Sequence, residues 1–89
     1  MQSIEDYLHY LQGKGFQFQD DAIGFIYFGK HYTDASDELI NTAIEVTLKV
    51  QKQFDGSFYI SLLEMLTSNK IKNRHDAIQL IKQKDLLTI

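Results

Sequence analysis

The 89 residues of this sequence contain no cysteine and no proline. Without cysteine there can be no disulfide bond, no thiolate nucleophile and no cysteine-ligated zinc site. Without proline there are no rigid linkers and no polyproline motifs, so helix-capping residues and the five glycines must mark the ends of the elements. These two absences exclude several redox, metal-binding and peptide-ligand functions.

The sequence also lacks a long apolar run, an internal repeat and a segment of low complexity. A membrane-spanning helix needs roughly 20 apolar residues, and the amino terminus has neither the basic flank nor the apolar stretch of a signal peptide. We therefore expect a soluble, cytoplasmic protein with no membrane partner. The length suits a single helical domain over residues 1–89, and 44% hydrophobic residues can form a small core.

Positive charge is scarce, because nine lysines and arginines stand against twelve acids and the formal net charge is −3. Acids are in excess over residues 1–54, whereas basic residues are slightly in excess over residues 55–89. Nucleic-acid affinity depends largely on cations that neutralise phosphates. Generic binding of DNA or RNA is therefore disfavoured.

Signatures of catalysis are also missing. The serines lack a GxSxG elbow, and the glycines match neither a P-loop nor a dinucleotide fingerprint. His9, His31 and His75 fall on three different predicted helices, without the HxxxH or HExxH spacing of a metal site. The acid pairs at 20–21 and 37–38 suit first turns of helices, where carboxylates complement the dipole. We predict no catalytic, cofactor-binding or metal-binding residue and a protein that is not an enzyme.

Residues 36–54 are the longest segment with one uninterrupted helical period. Ser36 is a natural N-cap, and Asp55-Gly56-Ser57 offers a stop in which Gly56 can adopt the left-handed conformation. The apolar positions recur mostly at spacings of three and four and so share one broad stripe: Leu39, Ile40, Ala43, Ile44, Val46, Thr47, Leu48 and Val50. This segment is predicted to be the central helix of the fold.

Three further segments have the period and the caps of helices. Ser3 is the expected cap of a first helix, Ser57 of a fourth and Asn73 of a last one. With a second helix before the central one, the sequence predicts an all-α fold, a compact bundle of about five short helices around residues 36–54.

Residues 16–32 are the hardest segment to assign. The alternation in FQFQ and the aromatic residues that follow fit a hairpin over residues 16–29, which would make the fold α+β. Asp20 and Asp21 form a good helix start, however, and a two-stranded ribbon is marginal without a third strand. A helix is therefore the preferred prediction.

Aromatic residues are concentrated in this same part of the chain. Six phenylalanines and five tyrosines are many for 89 residues, and they either complete the small core or form a surface for a partner. In the second reading the surface consists of Phe16, Phe18, Tyr27, Phe28 and Tyr32. The sequence then predicts a small regulatory or adaptor protein that binds a protein partner, or itself as a homodimer.

One basic cluster supports an alternative function. Residues 58–82 could form a helix-turn-helix that reads DNA, although the connector is longer than is typical of that motif and lacks its glycine. The candidate nucleic-acid contacts are Lys70, Lys72, Arg74, His75 and Gln79.

Overall fold

Five α-helices make up most of residues 2–86, the part of the chain that this computed structural model describes. They are α1 (Ile4–Gly13), α2 (Asp20–Thr33), α3 (Asp37–Gln51), α4 (Gly56–Ser68) and α5 (Arg74–Gln83). Because residues 2–86 contain no strand, the predicted all-α bundle is confirmed and the alternative with a hairpin at residues 16–29 is wrong. Over the same residues, none of the helices combines the length and the apolar character needed to cross a membrane.

Side chains cap the amino ends of four of these helices. As predicted, Ser3, Ser36 and Asn73 each accept a hydrogen bond from a main-chain N–H three residues later, at 3.0, 3.2 and 2.8 Å. The prediction for α4 is wrong, because Asp55 rather than Ser57 is its cap and accepts from the N–H of Phe58 at 3.0 Å. The carboxylate of Asp55 lies two residues earlier, so the helix begins before Ser57.

The central helix ends at Gln51, three residues before the predicted boundary. Lys52 adopts the left-handed conformation with φ of 65°, and its N–H donates to the carbonyl of Leu48 at 3.0 Å. Gly56 was the expected left-handed residue and instead opens α4. Its glycine identity suits close packing, since a Cβ at this position would lie 2.7 Å from the ring of Phe25.

Helix α3 lies at the centre of the bundle and contacts each of the other four helices. Its predicted apolar stripe is buried, apart from the half-buried Val50. Two buried threonines, Thr47 of the stripe and Thr42, each donate a hydroxyl hydrogen bond to a carbonyl one turn earlier, Thr42 to Glu38 and Thr47 to Ala43. Both buried hydroxyls therefore keep a hydrogen-bond partner inside the helix itself.

The closest neighbours in the bundle are α2 and α4. Gly29 of α2 is buried against Tyr59 and Leu63 of α4, and a Cβ on it would come within 2.9 Å of both side chains. Tyr59 is fully buried, and its hydroxyl donates to the carbonyl of Ile26 at 2.8 Å. Burial raises the pKa of this phenol, which stays neutral. These contacts determine which face of α2 is turned inward.

Asp37 joins the starts of α1 and α3 to α2. Its carboxylate accepts from the N–H of Ile4 at 3.2 Å and from the ammonium of Lys30 at 2.7 Å. The hydrogen bond from Lys30, assisted by the one from Ile4, holds the pKa of Asp37 below its usual value. A carboxylate whose pKa is lowered by folding stabilises the fold only while it is ionised.

We therefore expect stability to fall in acid and expect Asp37→Asn to reduce that fall. Stability from Asp37 is fully present above the pKa of an unfolded aspartate, about 4, and is lost as the pH drops through the lower folded value. The variant should be less stable than the wild type at pH 7, and the gap should narrow towards pH 3. Urea unfolding followed by circular dichroism between pH 3 and 7 measures the stability of the wild type and of the variant at each pH. A constant difference in stability between the two proteins over that range would contradict the stabilising role of ionised Asp37.

Candidate functional site

The outward face of α2 carries three large aromatic side chains. Phe25, Phe28 and Tyr32 are 43%, 55% and 61% exposed and lie three and four residues apart, so they share one side of the helix. Phe28 and Tyr32 stack with ring centroids 5.5 Å apart and planes 10° from parallel. The result is an aromatic surface that is largely open to water, although the ring of Phe25 also covers Gly56 of α4.

A shallow depression of about 370 Å³ lies beside these rings. It is lined by Asp21, Gly24, Phe25 and Phe28, and its wall is almost entirely apolar. Nothing lies within 4 Å of the point where a Cβ on Gly24 would be, so the missing side chain leaves open space in the surface. We refer to Asp21, Gly24, Phe25, Phe28 and Tyr32 as the α2 stripe.

The two ends of the α2 stripe differ in charge. Asp20 and Asp21 are exposed in the first turn, where they complement the helix dipole. At the carboxyl end His31 is exposed, whereas the charge of Lys30 is paired with Asp37. An apolar strip with an acidic amino end is therefore open to a partner.

The structure separates the five aromatic residues predicted to bind a partner. Phe16, Phe28 and Tyr32 are exposed, Phe16 in the loop between α1 and α2. Phe18 is half-buried and meets the ring of Phe54 edge-on, with centroids 6.1 Å apart. The hydroxyl of Tyr27 donates to the carboxylate of Glu5, and burial together with that carboxylate raises the pKa of Tyr27 to about 12. Two of the five rings thus contribute to packing.

Phe25 belongs to the exposed surface and was not among the predicted residues. The signal was present in the sequence, because Phe25 lies three residues before Phe28 and seven before Tyr32, which is the spacing of one helical face. Its outward direction could not be read from α2 alone, since every residue from 22 to 29 is apolar, aromatic or glycine.

The residues of the DNA-binding alternative lie in the connector before α5 and on that helix. Lys70, Lys72, His75 and Gln79 are exposed. The guanidinium of Arg74 instead makes a two-pronged contact with Glu45, at 3.1 and 2.8 Å. This contact lowers the pKa of Glu45 and raises that of Arg74. Reading of DNA by this segment remains a prediction, and its central cation is engaged with an acid of α3.

A small recess lies where α1, α3 and the start of α5 meet. Its volume is about 190 Å³, and it is lined by Gln2, Tyr7, Glu38, Asn41, Thr42, Glu45 and Arg74. Asn41 donates its side-chain amide to the carbonyl of Gln2 at 3.0 Å, and Glu38 accepts from the N–H of Arg74 at 2.8 Å. These contacts hold the ends of three helices together.

The three histidines are exposed on α1, α2 and α5. Within residues 2–86, no three histidine or carboxylate side chains are grouped in a way that could hold a metal ion. Among the surfaces described above, the α2 stripe is the one that presents large exposed aromatic side chains.

A family model described as "Family of unknown function (DUF6123)" matches residues 1–87 of this chain. The match covers nearly all of the sequence, including every helix described above. None of the curated proteins and none of the solved structures matches the chain.

Proposed function

We propose that this chain, which belongs to the DUF6123 family, is a small non-enzymatic adaptor or regulatory domain that binds protein through the α2 stripe. One observation carries the proposal: Phe25, Phe28 and Tyr32 share one face of α2 and are 43–61% exposed, although the ring of Phe25 also packs against Gly56 of α4. Contiguous apolar surface of this kind marks interaction sites, and aromatic side chains are enriched at protein interfaces.

More than half of the Phe28 and Tyr32 side chains is exposed, so the bundle itself buries little of either ring. Ile26 and Gly29 are buried, Ile23 and Tyr27 pack partly against the core, and Phe28 and Tyr32 stack on one another in solvent. Fully burying a phenylalanine side chain is worth about 1.5–3 kcal/mol. Because the three rings are 43–61% exposed, a partner that covers the α2 stripe would gain about half of that free energy for each ring.

The charges around the stripe indicate the chemistry of such a partner. Asp20 and Asp21 at the amino end favour a surface that carries a hydrogen-bond donor or a positive charge next to apolar groups. Such a surface could belong to another protein or to this chain itself.

Affinity capture with matched variants tests the proposal. Wild-type protein, Phe28→Ser and Tyr10→Ser are immobilised and exposed to a lysate of the native host, and the retained proteins are identified by mass spectrometry. Tyr10 is 52% exposed on α1, so its variant controls for the loss of a comparable exposed ring. Because both substitutions are at exposed positions, their stabilities should stay within about 0.5–1 kcal/mol of the wild type.

A protein held by the wild type and by Tyr10→Ser, but lost with Phe28→Ser, is the expected result. The chain itself counts as such a protein. Equal retention by all three forms, or retention of nothing, would contradict the proposed function.

A further inference from the structure

Resting on the proposed function, we propose that the α2 stripe binds a second copy of this chain, with the two α2 helices antiparallel across a two-fold axis. The spacing of the stripe is itself symmetric, since Asp21, Phe25, Phe28 and Tyr32 are separated by four, three and four residues. A two-fold axis between positions 25 and 28 places Phe25 opposite Phe28 of the second copy. The same axis places Asp21 opposite Tyr32 of the second copy, so one surface matches itself.

The groups brought together are chemically complementary. An ionised carboxylate only accepts hydrogen bonds, and a phenol donates one. Within residues 2–86 the hydroxyl of Tyr32 has no hydrogen-bond partner, and Asp21 uses one oxygen to accept from the N–H of Ala22 at 2.9 Å. Each copy therefore offers the donor that the other copy's acceptor needs, twice per dimer.

The depression beside Gly24 lies where the antiparallel arrangement places the ring of Tyr32 from the second copy. Side chains of a helix lean towards its amino end. In the antiparallel pair, the ring of Tyr32 from the second copy leans from a point opposite Asp21 towards Gly24. The depression has an apolar wall formed by Gly24, Phe25 and Phe28, with the carboxylate of Asp21 at its side. That lining suits a phenol, whose ring is apolar and whose hydroxyl is polar.

The electrostatics of the helix ends favour the same orientation. Antiparallel helices bring the amino end of one, with Asp20 and Asp21, against the carboxyl end of the other, where His31 is exposed. A parallel pair would place Asp21 against Asp21 instead. The charge distribution of α2 therefore selects the antiparallel arrangement.

The expected dimer is weak. Only one helix of about 21 Å contributes from each copy, and such a contact lies at the low end of specific interfaces. A dissociation constant on the order of 10–100 µM is expected. Association should therefore be visible by sedimentation equilibrium between about 5 µM and 1 mM.

Sedimentation of four proteins tests whether the partner is a second copy. Wild type and Tyr10→Ser should dimerise equally. Phe28→Ser should remain monomeric, and Tyr32→Phe, which keeps the ring and removes two hydrogen bonds per dimer, should weaken association about tenfold. Strictly monomeric wild type at 1 mM would overturn this inference. The proposed function would survive that result if the captured proteins still depended on Phe28.

Cross-linking tests the orientation of the two helices. Because the chain has no native cysteine, only the introduced cysteines can form a disulfide. In the antiparallel pair, the two copies of position 21 lie about 16 Å apart along the helix, whereas position 21 faces position 32. A mixture of Asp21→Cys and Tyr32→Cys should therefore form a mixed disulfide dimer, while each variant alone should form little. Self-cross-linking of each variant would indicate a parallel pair and overturn the arrangement, as would the absence of any cross-link from a chain that dimerises.

Discussion

Replacing Tyr59 with alanine is expected to lower the free energy of unfolding by about 3–5 kcal/mol. The ring is fully buried, packs against Phe54 with centroids 5.3 Å apart, and touches the backbone of α2 at Gly29. Its removal leaves a cavity between α2 and α4 and deletes the hydrogen bond to Ile26. Small domains are stable by only about 5–15 kcal/mol. Urea unfolding monitored by circular dichroism should show that much of this free energy of unfolding is lost.

Two controls separate the contributions of the ring and the hydroxyl. Tyr59→Phe should cost about 1 kcal/mol, because only the hydrogen bond is lost and the carbonyl of Ile26 keeps its partner within the helix. Tyr10→Ala, at an exposed position, should change stability by about 0.5 kcal/mol or less. A small effect of Tyr59→Ala would show that the ring is not the main contact between α2 and α4.

Two glycines of α2 are expected to respond in opposite directions to substitution. Gly29→Val should lose about 1–3 kcal/mol, because its Cβ already meets Tyr59 and Leu63 at 2.9 Å and the added methyl groups have no space. Gly24→Ala should gain about 1 kcal/mol, since its Cβ meets nothing within 4 Å and alanine is the better helix former.

The same unfolding assay checks both glycines, at a protein concentration of a few micromolar so that association through the α2 stripe does not contribute. If Gly29→Val were neutral, the close approach of α2 to α4 would be wrong. A loss from Gly24→Ala would mean that the depression beside it is already filled in the folded chain.

The large side chains of α2 are distributed unusually for a surface helix. A surface helix normally turns its largest apolar residues inward, yet here the inward contact includes Gly29 and the outward face carries Phe25, Phe28 and Tyr32. Gly29 lets α4 come close, and the rings of Phe28 and Tyr32 remain more than half exposed to solvent. A second copy laid on the α2 stripe would restore the usual arrangement by burying those rings.

The helices themselves were largely predictable from the sequence. The caps at Ser3, Ser36 and Asn73 and the apolar period of α3 are local features, because a cap needs residues three apart and a period needs residues three or four apart. The capping prediction failed at α4, where Asp55 and Ser57 compete and both are good caps. The end of α3 was misplaced because left-handed geometry favours glycine, yet Lys52 adopts it.

Which aromatic residues reach the surface was decided only by the tertiary structure. Helix α2 is apolar almost all round, so its period does not indicate which face packs, and the answer depends on Tyr59, 30 positions after Gly29 along the chain. The engagement of Arg74 by Glu45, 29 residues apart, is likewise invisible to local pattern. Local periodicity and capping set the number and order of the helices, since neighbouring residues carry those signals. The exposed face of α2 is determined by contacts between residues that are distant in the sequence, and those contacts exist only once the helices have packed.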